Sequence, residues 1–239
     1  TVKLHGTNGG VGFNGTSFLI QSRNREITVS ADNCGFANFI TENKALSSVL
    51  DIIYNEHCDD GDQIFIYGEW CGKGVQKGVA VAELEKMFVI FNVMISGSSV
   101  SVTEILQDHT STLNDARIYH IYQFTTWKLT VDFSSPSDSM DQLTKITNQV
   151  EKSCPVGTYF NVEGTGEGVV WSGLYMDEIL RFKVKGEEHS VVKTKNRVTI
   201  SPEKQKSIQD FVDFSITENR LQQGFNEIEI KNIGCLIKW

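Results

Sequence analysis

Strand-like and helix-like segments follow one another irregularly along this chain, and that irregular order constrains its fold most strongly. Runs of β-branched and aromatic residues predict five strands, at residues 25–30, 63–70, 87–95, 168–172 and 179–185. Amphipathic patterns predict helices at residues 45–56 and 139–152, and further helical segments after Ser201-Pro202. A doubly wound parallel sheet needs regular alternation of strands and helices. The order therefore predicts an α+β fold with mostly antiparallel sheets.

Composition narrows the class of protein further. The chain has 239 residues, of which 40% are hydrophobic and 22% charged, and this length suffices to bury a core without disulfides or a structural metal. The formal net charge of −8 excludes a uniformly basic protein but leaves room for a local basic groove. Because we find neither a membrane-spanning apolar run nor a secretory leader, we expect an intracellular protein without a membrane partner. The sequence leaves the oligomeric state open and favours a monomer over an oligomer.

Positive charge is concentrated late in this acidic chain. Between residues 181 and 197 there are six lysines or arginines and only two glutamates. Period-two alternation at residues 179–185 places Arg181, Lys183 and Lys185 on one face of the predicted strand and apolar side chains on the other. In isolation such a stretch is typical of a solvated strand and loop. Its interpretation therefore depends on the motifs that accompany it.

Six short motifs occur in order between residues 3 and 185. They are Lys3-Leu4-His5-Gly6-Thr7-Asn8, Gln21-Ser22-Arg23, Tyr67-Gly68-Glu69-Trp70, Phe88-Val89-Ile90-Phe91, Glu167-Gly168-Val169-Val170 and Lys183-Val184-Lys185. Each is weak alone, but the ordered set resembles the nucleotidyltransferase motifs of the bacteriophage RNA ligase 2 family, which includes the trypanosome RNA-editing ligases. DNA ligases and capping enzymes have an aspartate in place of His5, so the first motif favours the RNA ligases.

The resemblance also implies a domain organisation. The family fold is an ATP-grasp-like nucleotidyltransferase domain of mostly antiparallel sheets flanked by helices. We expect this adenylyltransferase domain to occupy residues 1–198 and to lack its N-terminal part, since the family has further residues before the motif lysine. Residues 199–239 are expected to form a helical C-terminal extension that is incomplete.

Individual functions follow from the same resemblance. Lys3 corresponds to the nucleophile that takes up AMP, and Glu167, Lys183 and Lys185 complete the expected catalytic set. The residues expected to bind ATP or AMP are Val2, Lys3, Leu4, Asn8, Arg23, Glu69, Phe91, Lys183 and Lys185. Those expected to contact RNA are His5, Arg181, Lys193, Lys195 and Arg197.

These residue types suit nucleotidyl transfer. A lysine amine attacks phosphorus only after losing its proton, so we expect Lys3 to be held uncharged beside Lys183 and Lys185, whose charges also neutralise the α-phosphate. Glu69 can accept a hydrogen bond from a ribose hydroxyl, and Phe91 offers a flat face to adenine. Pyrophosphate leaves readily only when a divalent cation spreads its charge. The expected cofactors are ATP and Mg²⁺ or Mn²⁺, with Glu69 and Glu167 as metal ligands, directly or through water.

The predicted function is an ATP-dependent RNA ligase. It would join 3′-OH and 5′-phosphate RNA ends through a covalent lysine–AMP intermediate and an adenylylated RNA end, and its partners would be the ends of nicked or broken RNA. Two other classes stay open on the sequence alone. One is another covalent nucleotidyltransferase, either a DNA ligase or an mRNA-capping guanylyltransferase. The other is a non-catalytic nucleic-acid-binding domain that keeps the fold.

Overall fold

The computed structural model describes residues 1–131, 136–175, 178–189 and 206. The first compact unit of the chain runs from Thr1 to Val191, and the description below concerns this unit. The C-terminal extension predicted for residues 199–239 lies, apart from Lys206, outside the described residues, as does the predicted boundary at residue 198. Both stay predictions.

Nine strands and six α-helices make up the described part of this unit. The strands are β1 (Val2–Lys3), β2 (Thr7–Phe13), β3 (Phe18–Ser22), β4 (Ile64–Cys71), β5 (Met87–Ile95), β6 (Ser98–Val100), β7 (Ile118–His120), β8 (Gly168–Tyr175) and β9 (Glu178–Lys185). The helices are α1 (Phe36–Glu42), α2 (Lys44–His57), α3 (Val102–Leu106), α4 (Thr110–Asp115), α5 (Pro136–Lys152) and α6 (Pro155–Tyr159). Within the described ranges, no helix has the length and apolar character needed to cross a bilayer.

The strands form two sheets. A six-stranded sheet has the order β3-β2-β4-β5-β6, with β7 paired to β5, and a three-stranded sheet has the order β1-β8-β9. All of these pairs are antiparallel except that of β5 with β7. The predicted α+β architecture with mostly antiparallel sheets is therefore confirmed.

Most of the predicted elements are present, but two departures are informative. Residues 25–30 form an irregular loop instead of the predicted strand. Only Ile27 of that segment is buried, and its pairing with β3 is limited to an isolated bridge between Glu26 and Gln21. Strand β2 was not predicted, because glycines stand where a strand usually has β-branched residues. Close packing requires these glycines. A side chain at Gly9 would reach within 2.5 Å of the Phe36 ring, and one at Gly12 within 2.8 Å of the Phe65 ring.

Strand β5 separates two hydrophobic cores. Phe88 and Ile90 belong to the core formed with α1 and α2, whereas Met87 and Val89 belong to the core that underlies β1 and β8. This burial on both faces explains why the strand reads as a continuous apolar run instead of an alternating one. Strand β5 is thus covered by a hydrophobic core on each face.

Helix α2 shows how local sequence signals carry over into the fold. The Asn43 side chain accepts a hydrogen bond from the Leu46 N–H at 3.0 Å and so caps the first turn. Leu46, Val49, Leu50 and Ile53 then form the buried stripe that the sequence predicted.

The three-stranded sheet aligns Lys3, Gly168 and Lys185 in one cross-strand row. Gly168 has a φ of 147°, and a Cβ at this position would lie 2.1 Å from the Val184 carbonyl oxygen. Both the backbone angle and the close approach of β9 therefore require glycine here. This glycine allows the two lysine-bearing strands to pair with β8 in this register.

We predict that Gly168→Ala lowers the free energy of unfolding by about 2 kcal/mol or more, because the new methyl group must displace β9 and strain the backbone. Gly173→Ala in the same strand is the matched control, since nothing lies within 4 Å of a Cβ there, and its effect should be below about 1 kcal/mol. Urea denaturation of both variants measures the difference. Equal effects of the two substitutions would contradict the proposed packing.

Candidate active site

A cleft of about 1110 Å³ lies against β1, β2, β4, β5, β8 and β9. Every predicted site residue within the described ranges lines it, namely Val2, Lys3, Leu4, His5, Asn8, Arg23, Glu69, Phe91, Glu167, Arg181, Lys183 and Lys185. The predicted RNA contacts Lys193, Lys195 and Arg197 lie outside the described residues. The cleft thus brings together motif residues that are up to 182 positions apart, the separation of Lys3 from Lys185.

Glu167 is the centre of the charged cluster in this cleft. Its side chain is 2% exposed and forms an ion pair with Lys3 Nζ. Its Oε1 accepts from Lys185 Nζ at 2.7 Å, and its Oε2 lies 3.1 Å from His5 Nδ1. Burial acts to raise the pKa of Glu167, but the hydrogen bonds from Lys185 and Lys3 outweigh burial and lower it. The carboxylate is therefore held ionised.

Short-range packing directs Lys3 into the cleft. Val2 and Leu4 on either side of it are buried in the core beneath β1 and β8, and alternation along an extended chain turns the intervening side chain the other way. The Val170 N–H donates to the Thr1 carbonyl at 2.9 Å and fixes this segment against β8. The sequence predicted cations around Lys3, and the structure adds a carboxylate that pairs with it.

Glu69 is a second buried carboxyl group beside the first motif. Its Oε1 accepts a hydrogen bond from the Gly6 N–H at 3.0 Å. Burial raises the pKa of Glu69 to about 7, while Lys3 and the hydrogen bond from Gly6 oppose this rise. Near neutral pH the Glu69 carboxyl group is consequently protonated in a substantial fraction of molecules.

A β-bulge presents Phe91 to the cleft. Tyr67 pairs with Asn92 and Gly68 pairs with Ile90, so Phe91 is the extra residue without a partner on β4. The bulge interrupts alternation along an otherwise buried strand and leaves the Phe91 side chain 38% exposed. An aromatic face is thereby available to a ligand instead of the core.

The remaining cations follow β9 and the end of β3. Arg181, Lys183 and Lys185 lie on the same face of β9 at intervals of two residues, about 7 Å apart along the strand. Arg181 and Lys183 are exposed, and Arg23, just after β3, is also exposed and lines the cleft. The cleft therefore carries a line of positive charge suited to phosphate groups.

The motifs missed several residues that line the cleft, chiefly Tyr67, Ser99, Ser101 and Tyr122. Ser99 Oγ donates to Asn92 Oδ1 at 2.7 Å, which holds β6 beside the Phe91 bulge. In the sequence, Tyr122 is marked only by being an aromatic residue next to an apolar pattern. That signal does not distinguish a ligand contact from an ordinary surface tyrosine.

Known proteins resemble this chain in sequence and in fold. A sequence model of the RNA ligase family matches residues 1–185. This chain belongs to the RNA ligase family. The match covers every motif of the cleft, from Lys3 to Lys185. A search of curated protein sequences finds no match to this RNA ligase family member.

Solved structures of Naegleria gruberi RNA ligase have a similar fold. A lysine-to-alanine mutant with ATP and Mn has a TM-score of 0.53 at 18% sequence identity. The enzyme with PPi and a lysine-to-methionine mutant with AMP and Mn each have a TM-score of 0.52 at 18% identity. The similarity covers 79% of this chain and 49% of those chains, so this chain spans about half the length of the structures it matches.

The buried Glu69 makes the stability of this RNA ligase family member dependent on pH. Because its pKa is raised from 4.5 to about 7, the folded state retains a proton that the unfolded state releases. We predict that the free energy of unfolding falls by about 3 kcal/mol between pH 4.5 and about pH 7.5 on account of this group. In Glu69→Gln, the free energy of unfolding measured in urea should not show this fall with pH. A difference in unfolding free energy between the wild type and Glu69→Gln that stays constant across this pH range would contradict the burial of Glu69.

Proposed function

We propose that this RNA ligase family member is an ATP-dependent enzyme that seals RNA ends through a covalent adenylate on Lys3. The observation that carries the proposal is the cross-strand row of Lys3 and Lys185 bridged by Glu167. This row forms one wall of a cleft that also contains Phe91 and Glu69. An amine, a line of cations and an exposed aromatic ring are the groups that transfer of an adenylyl group requires.

In the proposed first step, Lys3 Nζ attacks the α-phosphorus of ATP. A P–N bond forms, the bond from the α-phosphorus to the bridging oxygen breaks, and pyrophosphate leaves with that electron pair. The Lys3 ammonium group must first lose a proton to solvent and separate from Glu167. Lys185 Nζ lies 2.7 Å from Glu167, so phosphates that bind Lys185 would compete with this carboxylate and loosen the cluster around Lys3.

The nucleoside would bind between Phe91 and Glu69. Phe91 supplies a ring on which adenine can stack, an interaction of about 1–3 kcal/mol per base. Glu69 uses one oxygen for the Gly6 N–H, and its carboxyl group can still hydrogen-bond a ribose hydroxyl. We propose that the main chain around Val2 and Leu4, together with Asn8, completes this subsite.

The phosphates would lie along the cations of the cleft. Arg23, Lys183 and Lys185 are the proposed contacts of the triphosphate, because all three line the cleft and can donate charge-assisted hydrogen bonds. Positive charge already in place costs no reorganisation when negative charge develops on the α-phosphate.

Glu69 and Glu167 are the proposed ligands of a divalent cation. Carboxylate oxygens suit Mg²⁺ and Mn²⁺, and the Naegleria gruberi complexes with ATP or AMP contain Mn. Across the ranges that the structure describes, no three His, Cys, Asp or Glu side chains are grouped to hold a metal ion. Phosphate oxygens and water would therefore complete the coordination, as is common for Mg²⁺. When bound, the cation would spread the charge of the departing pyrophosphate.

Two further steps would seal the RNA. An oxygen of the RNA 5′-phosphate attacks the adenylate phosphorus and forms a P–O bond, while the P–N bond breaks and Lys3 leaves as an amine after taking up a proton from solvent. The 3′-hydroxyl oxygen then attacks the phosphorus of the activated 5′-phosphate and gives up its proton to solvent. A phosphodiester bond forms, and the bond to AMP breaks so that AMP leaves. His5 and Arg181 are the proposed RNA contacts within the described residues, and Lys193, Lys195 and Arg197 stay predictions.

Replacement of the nucleophile tests the first step. Lys3→Arg keeps a positive charge for Glu167, but a guanidinium group does not deprotonate and does not act as a nucleophile. Incubation with α-labelled ATP should label the wild-type protein and leave Lys3→Arg unlabelled. Lys145→Ala, an exposed position on α5, should be labelled like the wild type. Labelling of folded Lys3→Arg at the wild-type level would remove the proposal.

Arg181 should contact RNA without contacting ATP, since it lies four residues away from Lys185 along β9. Arg181→Ala should weaken RNA binding and lower the slope of log K against log salt by about 0.7–0.9, the loss of one phosphate contact. Labelling by ATP should not change. Arg25→Ala, an exposed arginine outside the cleft lining, serves as the control, and an Arg181→Ala slope equal to that of the control would contradict the assignment.

A further inference from the structure

Tyr122 is an aromatic residue of the cleft to which no motif assigns a function. Its side chain is 47% exposed and lines the same cleft as Lys3 and Phe91. Exposed aromatic rings inside a charged cleft are the usual platforms for nucleic-acid bases. The position of Tyr122 is therefore suited to contact with a base.

The turn that carries Tyr122 is firmly anchored. Ile121 and Phe124 on either side are each only 5% exposed and belong to the core beneath β1 and β8. The Gln123 side chain accepts a hydrogen bond from the His120 N–H at 2.7 Å. The fold thus fixes the backbone of this turn while leaving the Tyr122 ring outside the core.

Strand register places Tyr122 close to Phe91. Strand β7 pairs with β5 in parallel, with His120 opposite Ile90. Phe91 is the next residue on β5, and Tyr122 follows His120 by two residues. Because paired strands lie about 4.8 Å apart, the turn just beyond β7 presents Tyr122 beside the middle of β5, where Phe91 lies.

The cleft is large for a small-molecule site. Its volume of about 1110 Å³ exceeds the roughly 300–1,000 Å³ of small-molecule sites. ATP has a single base, and the proposed function assigns that base to Phe91. We propose that Tyr122 stacks on a base of the RNA strand next to the reacting end. This inference rests on the proposed RNA ligase function, since it needs a second base in the cleft.

The test separates the RNA steps from the ATP step. Wild type, Tyr122→Ala and Tyr122→Phe are first adenylylated with α-labelled ATP and freed of excess ATP, and then mixed with a nicked RNA duplex. The inference expects Tyr122→Ala to seal about 5-fold to 150-fold more slowly, the equivalent of one stacked base. Adenylylation should proceed at the wild-type rate, and Tyr122→Phe should restore sealing because it retains the ring.

Abasic substrates identify the partner of the ring. Two further duplexes lack the base on the 5′-phosphate side or on the 3′-hydroxyl side of the nick. If Tyr122 stacks on one of these bases, its removal should slow the wild type but add little to the defect of Tyr122→Ala. Additive effects with both duplexes, wild-type sealing by Tyr122→Ala, or a raised ATP requirement for adenylylation would each overturn the inference. Failure of the wild type itself to become adenylylated would instead remove the proposed function.

Discussion

The ion pair between Lys3 and the buried carboxylate of Glu167 organises the rest of the site. An ionised carboxylate that is 2% exposed is stable only when charged and hydrogen-bonding groups compensate for its lost hydration. Lys3, Lys185 and His5 provide that compensation from two other segments. Gly168 makes the arrangement possible, because its missing side chain allows β9 to pack against β8 beside Glu167.

The same interaction sets a chemical problem for the proposed reaction. Pairing with Glu167 positions Lys3, but an amine engaged by a carboxylate is not free to attack phosphorus. In the proposed reaction, ATP binding and activation of Lys3 are therefore linked, since phosphates that bind Lys185 would compete with Glu167 for its charge. Glu69 differs from Glu167 because burial dominates its environment and raises its pKa to about 7. Two carboxyl groups in one cleft thus have different protonation states near neutral pH.

Local patterns predicted the elements whose signals are local, and missed what depends on packing between distant segments. The apolar run of β5 and the amphipathic stripe of α2 were sufficient to predict those elements. The loop at residues 25–30 carries strand-type residues but forms only isolated bridges. The resemblance to the family motifs was sufficient to predict most of the residues that line the cleft. It did not predict the bulge that exposes Phe91 or the pairing of Lys3 with Glu167, because both depend on register across strands. No spacing along the chain encodes that register.

The most direct measurement of the central claim is a crystal structure of the protein with Mg²⁺ and α,β-methylene ATP, which Lys3 cannot cleave. The account predicts that the α-phosphorus lies about 3–3.5 Å from Lys3 Nζ, with adenine against Phe91 and Lys185 turned from Glu167 toward the phosphates. A nucleotide bound away from Lys3, with the ion pair to Glu167 intact, would contradict it.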